Sequence, residues 1–379
     1  MSFLEYRVKF IPSGASKVLY ANWGLYLAIT AVAALGWLML YSIAGGNLAT
    51  WAEPQMKRYG AGFVIALIIT FTPIWFWRNL SALGYVATFF LLIVVELFGH
   101  VGKGAQRWIE LGPITLQPSE LMKVALVLML AAYYDWLPDR RISRPLWVLL
   151  PVLIIMVPVA LVLAQPNLGT SIMLVLAGGG VMFAAGVSLW YFAGVILLVG
   201  GAVAAVFLTR GTPWQFLHDY QYRRIDTFLD PSADPLGAGY NIIQAKIALG
   251  SGGISGKGFM QGTQSRLNFL PEKQTDFILT ALAEEFGFVG VTALLLLYAL
   301  ILAFLIVAAI RCKERFSQLL ITGIALNFFL YIAVNMSMVM GMAPVVGVPL
   351  PFMSYGGSAT LVLLLAFGLV QSAIVHRAR

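Results

Sequence analysis

Asp276 is the residue of this chain whose position best suits acid–base chemistry. It ends the polar run PEKQTD (271–276), and the apolar residues Phe277 and Ile278 follow directly. A carboxylate where a wet loop meets an apolar helix is placed to act on a substrate that is half lipid and half polar. A structural role fits the same pattern, because Asp is a favourable N-cap and acids stabilise helix N-termini. The local pattern leaves both interpretations open.

A second set of ionisable residues, Glu120 and Lys123, lies at the start of another apolar segment. Pro118 favours the first turn of a helix there, and the i,i+3 spacing places both charges on one helix face. Ionisable groups inside membranes are costly and are candidates for function. One interpretation is a structural ion pair that lets two buried charges coexist. The other is a pair that faces a cavity, where Lys123 binds phosphate or tunes a catalytic acid.

Further acids follow Asp276 along its apolar segment. Asp276, Thr280 and Glu284 are four residues apart, so they share one side of a helix and predict a hydrophilic path along it. Glu284 and Glu285 also have a structural interpretation, in which they satisfy polar groups of neighbouring helices. Glu96 is a weaker candidate, because the sequence offers it no evident partner.

Two glycine-rich segments also have two interpretations each. The loop GSGGISGKG (250–258) departs from the phosphate-binding P-loop pattern at two positions. Its structural interpretation is a hinge or a set of tight turns, and its functional one is binding of a lipid pyrophosphate by backbone N–H groups and Lys257. The run SYGGS (354–358) is either a tightly packed helix start or part of a substrate cavity, with Ser354 as the candidate binding residue.

Membrane helices are the elements that must position these residues. The chain has 60% hydrophobic and 11% charged residues and a mean hydropathy of +0.87, whereas soluble domains carry roughly 25% charged residues. Many segments approach or exceed the ~20 apolar residues that cross a bilayer as a helix. We predict an all-α polytopic membrane protein with ten transmembrane helices. Their expected ranges are 22–44, 59–78, 81–98, 118–136, 146–164, 168–186, 189–209, 277–310, 316–340 and 355–375.

Basic residues in the short loops predict the orientation of these helices. With the N-terminus in the cytoplasm, Lys and Arg concentrate in the loops on that side, and an even number of spans returns the C-terminus to it. The net charge of +8 therefore mostly reflects topology. The basic residues do not form a single stripe with aromatic residues, so nucleic acid is not an expected partner.

Residues 1–379 are predicted to form a single integral-membrane domain with one large extracytoplasmic loop, at about 210–276. Loops of this length are usually functional or disordered, and the apolar spacing of Asn241–Leu249 predicts a short helix within this one. The single cysteine, Cys312, excludes a disulfide within the chain. The three histidines are far apart in sequence, so no metal site is predicted.

Several separated motifs occur along the chain. They are GAQRWI (104–109), QPSE (117–120) with Lys123, QP (165–166) with GT (169–170), PEKQTDF (271–277) with AEE (283–285), and PVVGVPLPF (344–352) with SYGGS (354–358). In this order they resemble the SEDS membrane proteins of cell-wall synthesis, the RodA/FtsW family, from the first predicted span to the last. The PEK run before Thr275-Asp276 and the PVVGVP run resemble the RodA branch, which acts in elongation, more than the FtsW branch.

The resemblance implies a ten-span peptidoglycan glycosyltransferase that polymerises lipid II into glycan strands for cell elongation and rod shape. It implies Asp276 as the catalytic residue and a location in the bacterial cytoplasmic (inner) membrane. The implied partners are lipid II, the nascent glycan strand, a class B penicillin-binding protein that acts as transpeptidase, and other membrane proteins of the elongation complex.

The implied reaction matches the residue types. One carboxylate suffices as general base on the attacking sugar hydroxyl, and the charged pyrophosphate leaves with the help of cations. No cofactor is identifiable, and a divalent cation is an alternative source of positive charge. Lower-ranked candidates for substrate binding are Lys123, Glu120, Arg107, Arg223, Arg224, Glu284 and Ser354.

One position departs from the family pattern, and one other class of function stays open. The family usually has Asp after Gln165-Pro166, where this chain has Asn167, so a role that needs negative charge there is in doubt. Many spans and membrane acids would also serve a flippase or transporter of a lipid-linked precursor, which would need acids near the midplane such as Glu96 or Glu285. A pure scaffold for the penicillin-binding partner is the third alternative.

Overall fold

The fold is known from a computed structural model in which most of the chain is placed. The described residues are 12, 14–102, 105–111, 114–212, 215, 222, 226, 229–230, 238–266, 270 and 272–377. Arg223 and Arg224, two of the predicted cationic candidates, lie outside these residues.

The described residues are mostly helical. The helices are α1 (Lys17–Tyr20), α2 (Trp23–Ile43), α3 (Ala52–Phe71), α4 (Ile74–Phe98), α5 (Pro118–Trp136), α6 (Pro145–Ala164), α7 (Leu168–Ala184), α8 (Leu189–Leu208), α9 (Ala238–Ser251), α10 (Thr263–Arg266), α11 (Ile278–Arg311), α12 (Arg315–Val339) and α13 (Gly357–Val375). Two short 3-10 helices are also present, Gly14–Ser16 before α1 and Asp139–Arg141 between α5 and α6.

Seven of these helices are long and apolar enough to cross a membrane, which establishes a multi-pass membrane protein among the described residues. They are α2, α4, α6, α8, α11, α12 and α13. Helices α3 and α5 carry charged residues in their first two turns, and the apolar helix α7 has 17 residues. Most predicted segments agree with these helices to within two residues at each end.

The second and third predicted segments begin too late. Helix α3 starts seven residues before the predicted 59 and ends at Phe71 instead of 78. Pro73 is the reason, because it restricts the residue before it and starts the next helix as the N-cap of α4. The first two turns of α3 contain the charged residues Glu53, Lys57 and Arg58, so a run of apolar residues does not mark them as part of a span.

A small antiparallel sheet between α4 and α5 was not predicted. Its strands are β1 (His100–Gly102), β2 (Ala105–Leu111) and β3 (Ile114–Leu116), in the order β1-β2-β3. The register pairs Ile109 with Leu116 and Leu111 with Ile114. The sheet qualifies the all-α prediction, and it matters because residues 105–109 of the GAQRWI motif lie on strand β2.

Helices α12 and α13 form the buried centre, and α8 lies at the periphery. In the most apolar stretches of α13 and α12, 89% and 72% of the residues are buried, whereas that share is zero in α8. Helix α13 packs closely on α3, where a Cβ at Gly368 would lie 2.9 Å from the Ala66 carbonyl oxygen. The site described next lies beside the middle of α12 and the start of α13.

Between α8 and α11, the predicted short helix is confirmed by α9, which contains Asn241–Leu249. Helix α11 is broken at Gly287, whose φ of 62° and ψ of −157° lie outside the helical region. Glycine tolerates a positive φ, which most other residues do not. The break separates the first turns of α11, which follow Asp276, from its long apolar part.

Candidate active site

A cavity of about 440 Å³ brings together residues that are far apart in the sequence. It is of the size of small-ligand sites. Its polar and charged lining residues come from β2 and β3, the first turns of α5 and α7, the residues before α11, the middle of α12, and the start of α13. They include Arg107, Thr115, Gln117, Glu120, Lys123, Asn167, Thr170, Thr275, Asp276, Tyr331, Tyr355 and Ser358.

Asp276 lines this cavity and does not occupy the N-cap of α11. The helix begins at Ile278, and its N-cap is Phe277, which makes no side-chain capping bond. A turn precedes the helix, in which the Thr275 and Phe277 N–H groups donate to the Glu272 carbonyl at 3.1 and 3.4 Å. A Cβ added at Gly347 would lie 3.6 Å from Asp276 Oδ2, which places the carboxylate beside the 347–349 loop. In this structure the N-cap position of α11 therefore belongs to Phe277, and Asp276 precedes it at the cavity.

Three hydrogen bonds hold the backbone carbonyls of residues 274–276, and a fourth joins Asn335 of α12 to Val348. The Asn335 amide donates to the Asp276 carbonyl at 2.9 Å and to the Val348 carbonyl at 2.7 Å. The Ser354 hydroxyl donates to the Thr275 carbonyl at 2.6 Å, and the Tyr355 N–H donates to the Gln274 carbonyl at 2.8 Å. Residues of α12 and of the loop before α13 therefore fix the backbone of residues 274–276.

Ser354 has a different position from the one that a substrate-binding role suggests. It is buried, with 2% of its surface exposed, and the cavity lining does not include it. Its hydroxyl accepts from the Leu350 N–H at 2.8 Å while it donates to Thr275. In this structure Ser354 connects the 350–354 turn to the segment that carries Asp276.

Glu120 and Lys123 form the predicted pair, and Tyr331 closes it into a triad. Lys123 Nζ donates to Glu120 Oε1 at 2.8 Å and also to the Tyr331 hydroxyl, which in turn donates to Glu120 Oε2. Lys123 is 1% exposed and Glu120 is 5% exposed. All three residues line the cavity. The pair is thus a buried ion pair and a part of the cavity wall at once.

Tyr331 and Asn335 are site residues that the sequence reasoning missed. Asn327, Tyr331 and Asn335 are four residues apart in α12, so they form a polar stripe in an otherwise apolar helix. That stripe was the available signal. Polar residues that share one face of a membrane helix usually face the protein interior.

Arg107 holds the sheet against the turn between α6 and α7. Its Nε donates to the Gln165 carbonyl at 2.8 Å, and its second guanidinium nitrogen donates to the Pro166 carbonyl. Partial burial lowers the pKa of Arg107 from its usual value, but a guanidinium stays charged in proteins. Arg107 therefore supplies positive charge to the cavity wall while it fixes the QP motif.

Asn167 performs the capping role that Asp would perform in the same position. Its side-chain oxygen accepts from the Thr170 N–H at 3.4 Å at the start of α7, and it lines the cavity. Asn and Asp are similar N-caps. The departure from the family pattern therefore keeps the local structure and removes one negative charge from the cavity wall.

Glu284 lies outside the cavity lining, in a closed group that we call the Glu284 cluster (Lys257, Thr263, Glu284 and Glu285). Glu284 is fully buried, and its Oε1 accepts from Lys257 Nζ at 2.7 Å, from the Thr263 N–H at 2.8 Å and hydroxyl at 2.9 Å, and from the Gln264 N–H at 3.1 Å. Glu285 accepts from the Ser42 hydroxyl at 2.5 Å and from the Met260 N–H at 3.1 Å. Both glutamates thus satisfy groups of neighbouring segments.

The glycine loop (250–258) docks on the break in α11. The Lys257 and Gly258 N–H groups donate to the Glu284 and Glu285 carbonyls at 3.0 Å each, and the Phe288 N–H donates to the Gly253 carbonyl at 2.9 Å. A Cβ at Gly256 would lie 2.2 Å from the Glu285 carbonyl oxygen, so only glycine permits this approach. The loop contains the expected turns, and its N–H groups at 257 and 258 are occupied by α11.

Among the described residues, no group of three or more His, Cys, Asp and Glu residues has the arrangement to hold a metal ion. The Asp276 cavity instead presents amide, hydroxyl, guanidinium and ammonium groups around one carboxylate and one ion pair.

The fold and the site define a multi-pass helical membrane protein with a polar cavity between its helices. The family model described as "Cell cycle protein", which covers FtsW, RodA and SpoVE, matches residues 21–379. The chain therefore belongs to the FtsW/RodA/SpoVE family, as its motifs predicted.

Individual relatives agree with this assignment. Peptidoglycan glycosyltransferase MrdB of Escherichia coli K12 is 42% identical over 356 residues, which are 93% of each chain. The solved structure "Structural coordination of polymerization and crosslinking by a peptidoglycan synthase complex" contains a chain that is 32% identical, with a TM-score of 0.79 over 93% of this chain and 97% of that one. The rod shape determining protein RodA of Thermus thermophilus is 29% identical, with a TM-score of 0.71 over 95% and 98%.

Proposed function

We propose that the protein is a peptidoglycan glycosyltransferase that polymerises lipid II into glycan strands during cell elongation. Relatives named as peptidoglycan glycosyltransferases, aligned over nearly the whole chain, support the reaction class. The observation that carries the proposal is the position of Asp276, which lies before the N-cap of α11 and lines a polar cavity. A carboxylate held there by backbone contacts is accessible to a substrate and is not needed to cap the helix.

Asp276 acts as the general base in the proposed reaction. Its carboxylate takes the proton from the attacking sugar hydroxyl, and the oxygen of that hydroxyl forms a bond to the anomeric carbon of the donor. The bond between that carbon and the pyrophosphate oxygen breaks, and its electron pair leaves with undecaprenyl pyrophosphate. General base catalysis contributes typically 10²–10⁴-fold. A single displacement inverts the anomeric centre, so an α-linked donor gives a β-linked strand.

Positive charge in the cavity wall would stabilise the leaving pyrophosphate. Arg107 and Lys123 line the cavity with Asp276, and fixed charges aimed at a developing anion are often the largest catalytic contribution. Lys123 is neutralised by Glu120 in this structure, so its effect on an anion is reduced. Arg223 and Arg224 remain proposed candidates, and a divalent cation is the alternative source of charge.

Ten membrane spans with both termini in the cytoplasm are the proposed topology. The ten helices α2 to α8 and α11 to α13 lie where spans are expected, and the basic connections Asp139–Arg141 and Arg311–Arg315 fall on the proposed cytoplasmic side. This topology places Asp276 and the segment between α8 and α11 on the outer face of the inner membrane. Lipid II would then be used where the wall is built.

A class B penicillin-binding protein is the proposed partner, together with other membrane proteins of the elongation complex. The support is the description of the similar solved structure as a peptidoglycan synthase complex that coordinates polymerization and crosslinking. The transporter alternative lacks comparable support. Glu96 is exposed at the end of α4, and Glu285 is engaged by Ser42 and Met260.

The test is polymerisation of lipid II by the purified protein with its partner, comparing wild type with Asp276→Asn. Asn retains the shape of the side chain and removes the base, so polymer formation should fall roughly 10²–10⁴-fold with an unchanged melting temperature. Asp226→Asn is the control, because Asp226 forms an exposed ion pair with Arg210 at 2.6 Å, away from the cavity lining. Polymer formation by Asp276→Asn at the wild-type rate would refute the assignment.

A further inference from the structure

Arg58 is a cation beside the cavity that the reaction described above does not use. Its guanidinium carbon lies 4.9 Å from the centroid of the Tyr355 ring. A Cβ added at Gly357 would lie 3.7 Å from Arg58 Cζ and Nε, and 3.7 Å from the Thr115 hydroxyl. Tyr355, Gly357 and Thr115 all line the cavity, so the guanidinium stands at its edge where α13 begins.

The charge of Arg58 is not neutralised within the part of the chain that the structure describes. The neighbouring Lys57 pairs with Glu53 at 2.6 Å, but no described carboxylate pairs with Arg58. Stacking on an aromatic ring uses the face of the guanidinium and leaves the N–H groups in its plane able to donate. Arg58 is therefore fixed in orientation by Tyr355 while its donors remain available.

The other described cations at the cavity are more strongly bound to the protein than Arg58. Lys123 is 1% exposed, and its charge is neutralised by Glu120. Arg107 already donates two of its five N–H groups to the carbonyls of Gln165 and Pro166. Arg58 has no ion pair with a described carboxylate, and the adjacent start of α13 favours negative charge through its dipole.

We propose that Arg58 binds the diphosphate of the lipid-linked donor at the edge of the cavity. The planar guanidinium matches two phosphate oxygens with two parallel N–H bonds, which a lysine cannot reproduce. The contact would hold the leaving group in place and stabilise the charge that it gains when the bond to the anomeric carbon breaks. The inference rests on the proposed glycosyltransferase function, because it assigns the phosphate position of the same site.

The experiment uses the purified protein with its partner and the variants Arg58→Ala, Arg58→Lys and Lys57→Ala. Lys57→Ala is the matched control, because it removes one positive charge at the next residue, whose side chain is 74% exposed and paired with Glu53. Two quantities are measured: initial polymerisation rates against lipid II concentration, and binding of farnesyl diphosphate and farnesyl monophosphate as short-chain probes. Inorganic pyrophosphate is added as a probe without a lipid tail.

Arg58→Ala should weaken farnesyl diphosphate binding and raise the KM for lipid II, each by roughly 10- to 100-fold, the range for a lost charged hydrogen bond. Binding of farnesyl monophosphate should change less, because one phosphate offers fewer oxygens to the guanidinium N–H groups of Arg58. Arg58→Lys should lie between Arg58→Ala and wild type, and Lys57→Ala should match wild type. Weaker binding of inorganic pyrophosphate by the same factor would show that the phosphates alone are recognised.

Equal diphosphate binding and equal KM in Arg58→Ala and Lys57→Ala would overturn the proposal. If Arg58→Ala does not fold, Arg58→Lys provides the test. Lysine keeps the positive charge and the aliphatic part of the side chain and loses the bidentate geometry of the guanidinium. Wild-type values for folded Arg58→Lys would then overturn the proposal. A wild-type protein that binds farnesyl diphosphate through Arg58 and makes no polymer would refute the proposed function and leave the phosphate site standing.

Discussion

Asp276 lies just before α11 and Glu284 lies within its first two turns, and the surroundings of the two acids differ. Glu284 is fully buried, and its Oε1 accepts bonds from Lys257, Thr263 and Gln264. Asp276 is partly exposed and lines a cavity of about 440 Å³. Both acids belong to family motifs in the sequence, so the motifs alone do not separate their roles.

The difference teaches which acid is available for chemistry. When a carboxylate accepts hydrogen bonds from the protein itself, those bonds fix its position and influence how readily it takes up a proton. In the Glu284 cluster those bonds attach the glycine loop to the break at Gly287. A carboxylate whose backbone is fixed and that lines a cavity lies within reach of a ligand bound there. On this account Glu284 holds the first turns of α11 in place, and those turns position Asp276, which precedes them, at the cavity.

Lys123→Ala should give the largest loss of stability. It leaves Glu120 buried without its cation, and breaking a buried ion pair in this way costs about 3–5 kcal/mol. Polymerisation should also fall, because the cavity wall loses its ammonium group. Thermal unfolding and lipid II turnover of the same preparation measure the two effects.

The double variant Glu120→Met with Lys123→Met separates the two roles of the pair. Replacing both charges by apolar groups is often neutral for stability, so melting should return toward wild type. Activity should stay low if the charges serve the cavity. Recovered activity would mean that the pair is purely structural and that the cavity does not need it.

Glu284→Gln should lower stability by a smaller amount, about 1–3 kcal/mol, since hydrogen bonds to a charged group weaken and Lys257 loses its partner. Proteolysis of the 250–266 segment should become faster, because this segment is attached through the Glu284 cluster. Turnover per folded molecule should stay within a few-fold of wild type. A loss as large as that of Asp276→Asn in folded protein would place Glu284 in the reaction and break the comparison.

The sequence predicted what depends on local spacing. The Glu120–Lys123 pair follows from an i,i+3 relation, and the helix ranges follow from runs of apolar residues, except where Pro73 and the charges of α3 misled the count. The hydrogen bond between Lys123 and the Tyr331 hydroxyl joins residues that are 208 positions apart in the sequence. The bond from the Ser354 hydroxyl to the Thr275 carbonyl joins residues that are 79 positions apart. Such contacts depend on the packing of distant segments, which no local pattern encodes. The catalytic role of Asp276 stays a prediction, and the structure adds that this residue lies two positions before the start of α11 at Ile278 and lines the cavity.

Asn167→Asp should have a small effect. Both residues cap a helix well, so stability should change by less than about 0.5 kcal/mol. Turnover should remain within a few-fold of wild type, because Asp276 already provides the base. A large gain in polymerisation, measured with lipid II under the same conditions, would show that a second carboxylate in the cavity wall takes part.

Cys312→Ser should change neither stability nor activity by a measurable amount. Cys312 follows α11 and lies away from both acids, and burial raises the pKa of its thiol to about 11. Because the thiolate is the reactive form, labelling of Cys312 by iodoacetamide should be slow at pH 7.5 and accelerate as the pH approaches 11. Rapid labelling at neutral pH would contradict the packing described at this end of α11.

The central claim is that the acid open to the cavity performs the chemistry and the enclosed acid supports it. The most direct test measures lipid II polymerisation and melting temperature for Asp276→Asn and Glu284→Gln side by side, each with its partner bound. The account predicts that Asp276→Asn melts like wild type and makes almost no polymer, while Glu284→Gln melts earlier and polymerises normally per folded molecule. Polymer formation by Asp276→Asn, or its loss in folded Glu284→Gln, would contradict the account.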